Sequence, residues 1–220
     1  MPFLLTGLKA VQAQSLCIVS VGVVVDICTA IGAQIQPFCD QIMSATTECL
    51  RDGSVHRDIK PIVISCFGDI AMAIGSAYEP YLSVSTMLLM QASSQQPPDD
   101  DDEMIIFINS LRLSILEAYS GIILGLSDGN ALHLFSPNLP NILQFLQYLA
   151  LAESQKVEDV LLKAVALIGD IGQQMGSLPQ VKQQIQQQFA VDLIQEAGQC
   201  GDPSGQDIAG WTQGVLQALN

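Results

Sequence analysis

Three segments of the chain, VVVDICTAIG (23–32), CFGDIAMAIG (66–75) and LIGDIGQQMG (167–176), align on an apolar residue, Asp, Ile and a glycine six residues after the Asp. Repetition at this distance constrains the fold more than any single motif. A unit too short to bury its own apolar face must stack on copies of itself. A fourth, weaker copy is AYSGIILGLS (118–127), with Gly121 at the Asp position. The marked positions Asp26, Asp69, Gly121 and Asp170 are then 43, 52 and 49 residues apart.

Those periods suit helical pairs of the HEAT or armadillo kind, two of them lengthened by insertions. The helical phase agrees. Within 59–74, Ile59, Val63, Phe67, Ile70 and Ile74 recur three or four apart, the stripe of an amphipathic helix. Lys60-Pro61 then falls at a helix start, where proline loses nothing by lacking an amide hydrogen. This decides the meaning of SVHRDIKP (54–61), whose HRD looks like a kinase catalytic loop. Such a loop needs an Asn five residues after its Asp, where Val63 stands, and the downstream 67–69 reads FGD rather than DFG. No glycine-rich strand turn precedes it, so the stretch is a helix start.

Between the marked helices lies a second one, heralded by Pro37, by Pro80 or by Pro137 and Pro140. The expected fold is all-α, a HEAT-repeat superhelical solenoid of antiparallel helix pairs over 1–220, with about four to five repeats and no domain boundary. Asp52-Gly53 marks a short turn, whereas SSQQPPDDDDE (93–103) reads as an acidic loop. A helix is expected over 179–188 from Val181, Ile185 and Phe189, then a loop over 198–205 and a last helix over 206–220. The first residues, MPFLLTGLKA, lack a capping repeat's polar exterior, so the chain is expected to be the tail of something longer.

Composition narrows function. Hydrophobic content is 49% and aromatic content 5%, which favours helix-on-helix packing. The net charge of −14 repels nucleic-acid phosphates and anionic lipid and attracts basic partners. The six cysteines show no CxxC spacing and read as small core residues, and neither histidine has a partner at metal-ligand spacing. No signal peptide is read, since no basic region precedes the first apolar stretch. The run 10–25 is interrupted by Gln12, Gln14, Ser15 and Ser20, and 131–152 by Pro137 and Pro140, so no membrane insertion is expected. No nucleophile, base and partner converge at a recognisable spacing, and no cofactor or metal is implied.

The segments FCDQIMSATTECL, VHRDIKPIVISCFGDIAMAIG, LEAYSGIILGL, LIGDIGQQMG and IAGWTQGVLQAL, in this order and spacing, closely resemble the C-terminal part of the importin beta family of nuclear transport receptors. The resemblance runs along essentially the whole chain and is strongest over 16–93. It implies a non-catalytic HEAT-repeat receptor that shuttles between cytoplasm and nucleus through the nuclear pore. Second helices would line a concave face that binds the basic segment of the importin alpha adaptor, or basic cargo. Grooves between outer helices would take nucleoporin Phe-Gly repeats. The GTPase Ran would act mainly through N-terminal repeats that are missing here. The family usually ends in a basic stretch, whereas this chain ends in uncharged GVLQALN, which leaves a truncated or divergent paralogue open. The alternative reading is an acidic HEAT-repeat scaffold with no transport role.

Candidate residues follow. Asp26, Asp69 and Asp170 recur in register, and a solenoid stacks them as a carboxylate ladder suited to a basic helix. Glu117, one turn before Gly121, supplies the fourth rung. The resemblance aligns Trp211 with a tryptophan that contacts the adaptor segment; Asp207 lies four residues earlier. Met87, Leu88, Met90, Phe145 and Tyr148 are outward candidates for a Phe-Gly groove. The same carboxylates also fit bonds within the stack, Trp211 fits the core of the last repeat, and the groove residues fit an ordinary helix core.

Overall fold

The computed structural model describes residues 1–97, 101–128, 131–152 and 156–219. Among them the chain is helical and has no strand. The α-helices are α1 (Pro2–Leu8), α2 (Gln14–Ile31), α3 (Cys39–Arg51), α4 (Ile59–Ile74), α5 (Glu79–Ser93), α6 (Asp102–Asp128), α7 (Leu132–Phe135), α8 (Leu139–Leu151), α9 (Glu158–Met175), α10 (Pro179–Ile185), α11 (Gln188–Gly198) and α12 (Pro203–Ala218). They form two layers. α2, α4, α6, α9 and α12 lie side by side in that order, and α3, α5 and α8 with α10 and α11 pack behind them. Each front helix follows its rear partner in sequence, the arrangement of a HEAT-like solenoid.

The repeated glycine ends the front helices. Gly32 and Gly75, with φ of 52° and 58°, occupy a backbone region that side-chain-bearing residues rarely adopt. Each starts a tight 3-10 segment leading to the next rear helix. Pro37 lies in the first of these, and Pro80 and Pro140 sit in the opening turns of α5 and α8. The stripe Ile59, Val63, Phe67, Ile70 and Ile74 is buried. Just before it, Arg57 of the HRD stretch bonds Glu103 of α6 at 2.8 Å and lies over the Phe107 ring, tying the α4 start to the α6 start.

The front layer is held by contacts that a side chain would break. A Cβ at Gly121 would fall 2.6 Å from Gly68 Cα, and one at Gly125 would fall 2.3 Å from the Ala71 carbonyl oxygen. α6 therefore lies backbone to backbone on α4, which explains a glycine where the other copies have Asp. Gly169 and Gly172 on α9 receive Trp211 and Val215 of α12, and Gly176, just past α9, receives Leu219, just past α12.

Several boundaries differ from the sequence expectation. The 179–188 helix stops at Ile185, and α11 begins at Gln188; Val181, Ile185 and Phe189 are buried in both pieces, so their spacing reads through the break. The last helix starts at Pro203, because the Asp202 carboxylate accepts from the Ser204 amide at 2.9 Å and caps it. Ser93 ends α5, while Asp102 and Glu103 form the first turn of α6, where acids complement the helix dipole. Asp99 and Asp100 of the acidic stretch and Asn220 lie outside the described residues.

By length and composition alone, the helical stretches Gln14–Arg51, Ile59–Ser93 and Asp102–Ser127 are apolar enough to cross a membrane. The expectation from 10–25 undercounted the first, since α2 continues to Ile31. Packing accounts for the apolar character of the latter two, which are 56% and 72% buried. The first is 28% buried and turns Leu16, Val19 and Val23 outward. All six cysteines are free thiols, and burial pushes Cys28 to about 12 and Cys39 to about 11.

Substituting Gly121→Ala should lower stability by about 1–3 kcal/mol, because neither backbone can yield. Gly22→Ala, in the interior of α2 with open space around it, should raise it by about 0.5–1 kcal/mol. Urea midpoints of the two variants check both signs.

Candidate functional site

α4, α6 and α9 are largely buried except along one stripe each. The stripes are Ile62, Ser65, Asp69 and Met72 on α4, Leu113, Glu117 and Leu124 on α6, and Lys163, Ala166, Asp170 and Gln173 on α9. Spacings near three, four and seven keep each set on one side of its helix. Neighbouring helices cover the flanks of the layer and the rear helices cover its back, so these stripes form its open face. Asp26 on α2 and Asp207 on α12 are exposed on the first and last helices of the row.

Neighbouring rungs sense one another. Burial raises the Asp69 carboxyl above its usual range, and the Glu117 carboxylate across the α4–α6 contact raises it further. Asp170 is raised by burial, while Ser120 of α6 and the Lys163 cation pull it back. Among the described residues none of Asp26, Asp69, Glu117, Asp170 and Asp207 forms an ion pair; the ion-paired cations are spent on Glu48, Asp58, Glu103 and Glu196. Lys163 partly offsets Asp170, and the other acids leave the face net negative.

Trp211 lies at one end of it. Its ring edge rests over Gly169, where a Cβ would fall 2.2 Å from Cζ3, and 40% of the residue remains exposed. The indole thus packs on α9 at the residue preceding Asp170 in sequence. The Thr212 hydroxyl donates to the Val165 carbonyl at 3.1 Å and fixes the rotation of α12. The structure thus brings Asp69 and Glu117 within electrostatic range and seats Trp211 on Gly169 of α9, with Asp207 one turn before Trp211 on α12 and Asp26 on the first helix of the row. Met72, exposed three residues after Asp69, adds an apolar element that the repeat pattern did not flag.

The groove candidates gather between α5 and α8. One cleft of about 390 Å³ is lined by Met87, Met90, Leu134 and Asn141, and another of about 290 Å³ by Met90, Asn141, Phe145 and Tyr148. Met87 and Met90 are exposed. Leu88 and Phe145, expected to point outward, are buried: Leu88 faces the core and Phe145 forms cleft wall, because their positions fall on the inward stripes of α5 and α8. The Arg112 guanidinium, buried in α6, donates to the Tyr148 hydroxyl at 2.9 Å and lies over its ring, fixing that side chain at the cleft edge. An arginine on a helix stripe gave no sign of this in the sequence.

The family model described as importin subunit beta-1-like, TPR repeats, matches residues 1–198. The present repeat spacings exceed the usual TPR period of about 34 residues. Importin subunit beta-1 of Arabidopsis thaliana is 37% identical over 177 residues, 80% of this chain and 20% of the relative. A crystal structure of importin beta superposes with a TM-score of 0.91 at 29% identity, covering 99% of this chain and 26% of that one. Kap95p bound to RanGDP and a Kap95:Nup1 complex give TM-scores of 0.87 and 0.86 at 27% and 28% identity, each over 99% of this chain and 25% of theirs. The chain therefore spans about a quarter of the length of the proteins it matches.

Because Asp69 and Asp170 titrate higher in the folded chain, their ionisation opposes folding. That penalty is absent below the unfolded carboxylate range and grows as pH rises through the folded values. Asp69→Asn should therefore raise the melting temperature at neutral pH, by about 1–2 °C, and the gain should vanish in acid; thermal melts across pH read both.

Proposed function

Because the chain belongs to the importin subunit beta-1-like family, a family of transport receptors rather than enzymes, we propose that it is the C-terminal HEAT-repeat portion of a nuclear import receptor. Its front face captures a basic helix, the arginine- and lysine-rich segment of the importin alpha adaptor or of basic cargo. The observation that supports this reading is Trp211, part-exposed and seated on Gly169, at the end of a row of carboxylates none of which forms an ion pair among the described residues, with Lys163 only partly offsetting Asp170. Each arginine of an incoming helix replaces repulsion between carboxylates with attraction, and its stem can lie on the indole. Asp26, Asp69, Glu117 and Asp207 extend the attraction along the segment.

The groove between α5 and α8 takes nucleoporin Phe-Gly repeats, phenylalanine rings entering beside Met87, Met90, Phe145 and Tyr148. The Kap95:Nup1 complex supports nucleoporin binding by the family. The RanGDP complex likewise supports Ran as a partner, which in this reading acts mainly through repeats N-terminal to those present here. The receptor shuttles between cytoplasm and nucleus.

Titration with a labelled arginine-rich adaptor peptide tests the front face. Binding should weaken from low to physiological salt, and Trp211→Ala should weaken it about two- to thirtyfold. Absence of binding at low salt, from a chain shown to be folded, would leave the acidic scaffold instead. Tyr148→Ala should reduce binding of a Phe-Gly peptide and leave the basic peptide unaffected; equal loss of both would sink the two-site reading.

A further inference from the structure

On the far side of α4 from the acidic face, the ends of α3, α4 and α5 enclose a cleft of about 230 Å³. Ile64, Leu88, Ala92 and Leu111 are its buried floor; Arg51 and Lys60 line it with Gln91 and Gln95. Lys60 lies nine residues before Asp69, about two and a half helical turns, which sets the two on opposite sides of α4. The sign of this cleft is unusual for a chain with eight basic and 22 acidic residues.

Among the described residues neither cation forms an ion pair. Among the described residues, the ion-paired basic side chains are Lys9, His56, Arg57 and Lys156. The nearest acids in sequence are engaged elsewhere: the Asp52 carboxylate accepts from the Ser54 amide and hydroxyl at 2.8 and 2.7 Å, Glu48 accepts from Ser44 at 2.8 Å and faces Lys9, and Asp58 faces Arg57 and His56 at 3.8 and 3.5 Å. Arg51 occupies the last turn of α3, where the helix dipole favours a cation that has no carboxylate partner.

We propose that this cleft binds an acidic peptide segment of a partner protein. An apolar side chain of the segment covers Ile64, Leu88 and Leu111, Asp or Glu residues beside it meet Arg51 and Lys60, and the Gln91 and Gln95 amides bond its backbone. Charge complementarity selects this occupant: on the front face an acidic segment meets carboxylates, and here it meets two unpaired cations. The apolar floor selects a peptide over a small anion, which would leave that floor wet. The site is independent of the basic-segment reading, being opposite in sign and position.

The test is fluorescence anisotropy with a short labelled peptide carrying one leucine flanked by glutamates, on the whole chain. Arg51→Gln with Lys60→Gln should weaken binding about tenfold or more, and replacing the leucine by serine in the peptide should weaken it comparably. Arg51→Glu with Lys60→Glu should reject this peptide and accept one with lysines in place of the glutamates, a gain that misfolding cannot produce. Unchanged affinity in the double glutamine variant overturns the proposal. So does displacement by millimolar inorganic phosphate together with indifference to the leucine, which would make this a simple anion site, and so does loss of self-association in the same variants without any peptide binding.

Discussion

The contact on which the front layer depends is the approach of α6 to α4 at Gly68, Ala71, Gly121 and Gly125. Glycine in a helix interior costs about 0.5–1 kcal/mol relative to alanine, so the two helical turns carrying these small residues, one on α4 and one on α6, must recover that loss through backbone contact. The dispersion gained over two closely apposed helices is the available source. The same proximity has an electrostatic result: Asp69 follows Gly68 and Glu117 precedes Ala118, so helices this close bring the two carboxylates within range of each other. Like charge on the face is thus a by-product of the tightest packing in the fold.

A face assembled in this way is strained before any partner arrives. Asp69 and Asp170 are half-buried, lack ion pairs among the described residues and are easier to protonate than free carboxylates, which disfavours the folded chain at neutral pH. In the proposed reading an arginine-rich helix would offset that penalty, so part of its binding energy would come from relief of repulsion already present. Trp211 needs no rearrangement to join in, because Gly169 seats it and Thr212 fixes its helix.

Much of the architecture was legible in the chain. The Asp–Ile–Gly pattern located three front helices and their stops, since Gly32 and Gly75 must adopt a backbone that other residues avoid. The prolines located three rear helices through the missing amide hydrogen. The same pattern put Asp69 and Asp170 at equivalent places on α4 and α9, each six residues before the glycine at the helix end. What escaped was set by tertiary contact. The break between α10 and α11 is invisible to a spacing of four that both pieces satisfy, Phe145 turns inward on a stripe that the composition of α8 leaves ambiguous, and the Arg112–Tyr148 bond joins residues 36 apart. The family itself was readable from the order of several weak segments, none of which is specific alone.

The chain holds a single tryptophan, and that residue lies at the edge of the acidic face with two-fifths of its surface in water. It makes the molecule its own optical probe. A ligand laid across the carboxylates changes the polarity around one indole, while a ligand in the α5–α8 groove or in the cationic cleft leaves that indole untouched. The unlabelled chain therefore reports, by the colour of its emission, which of its surfaces has been occupied.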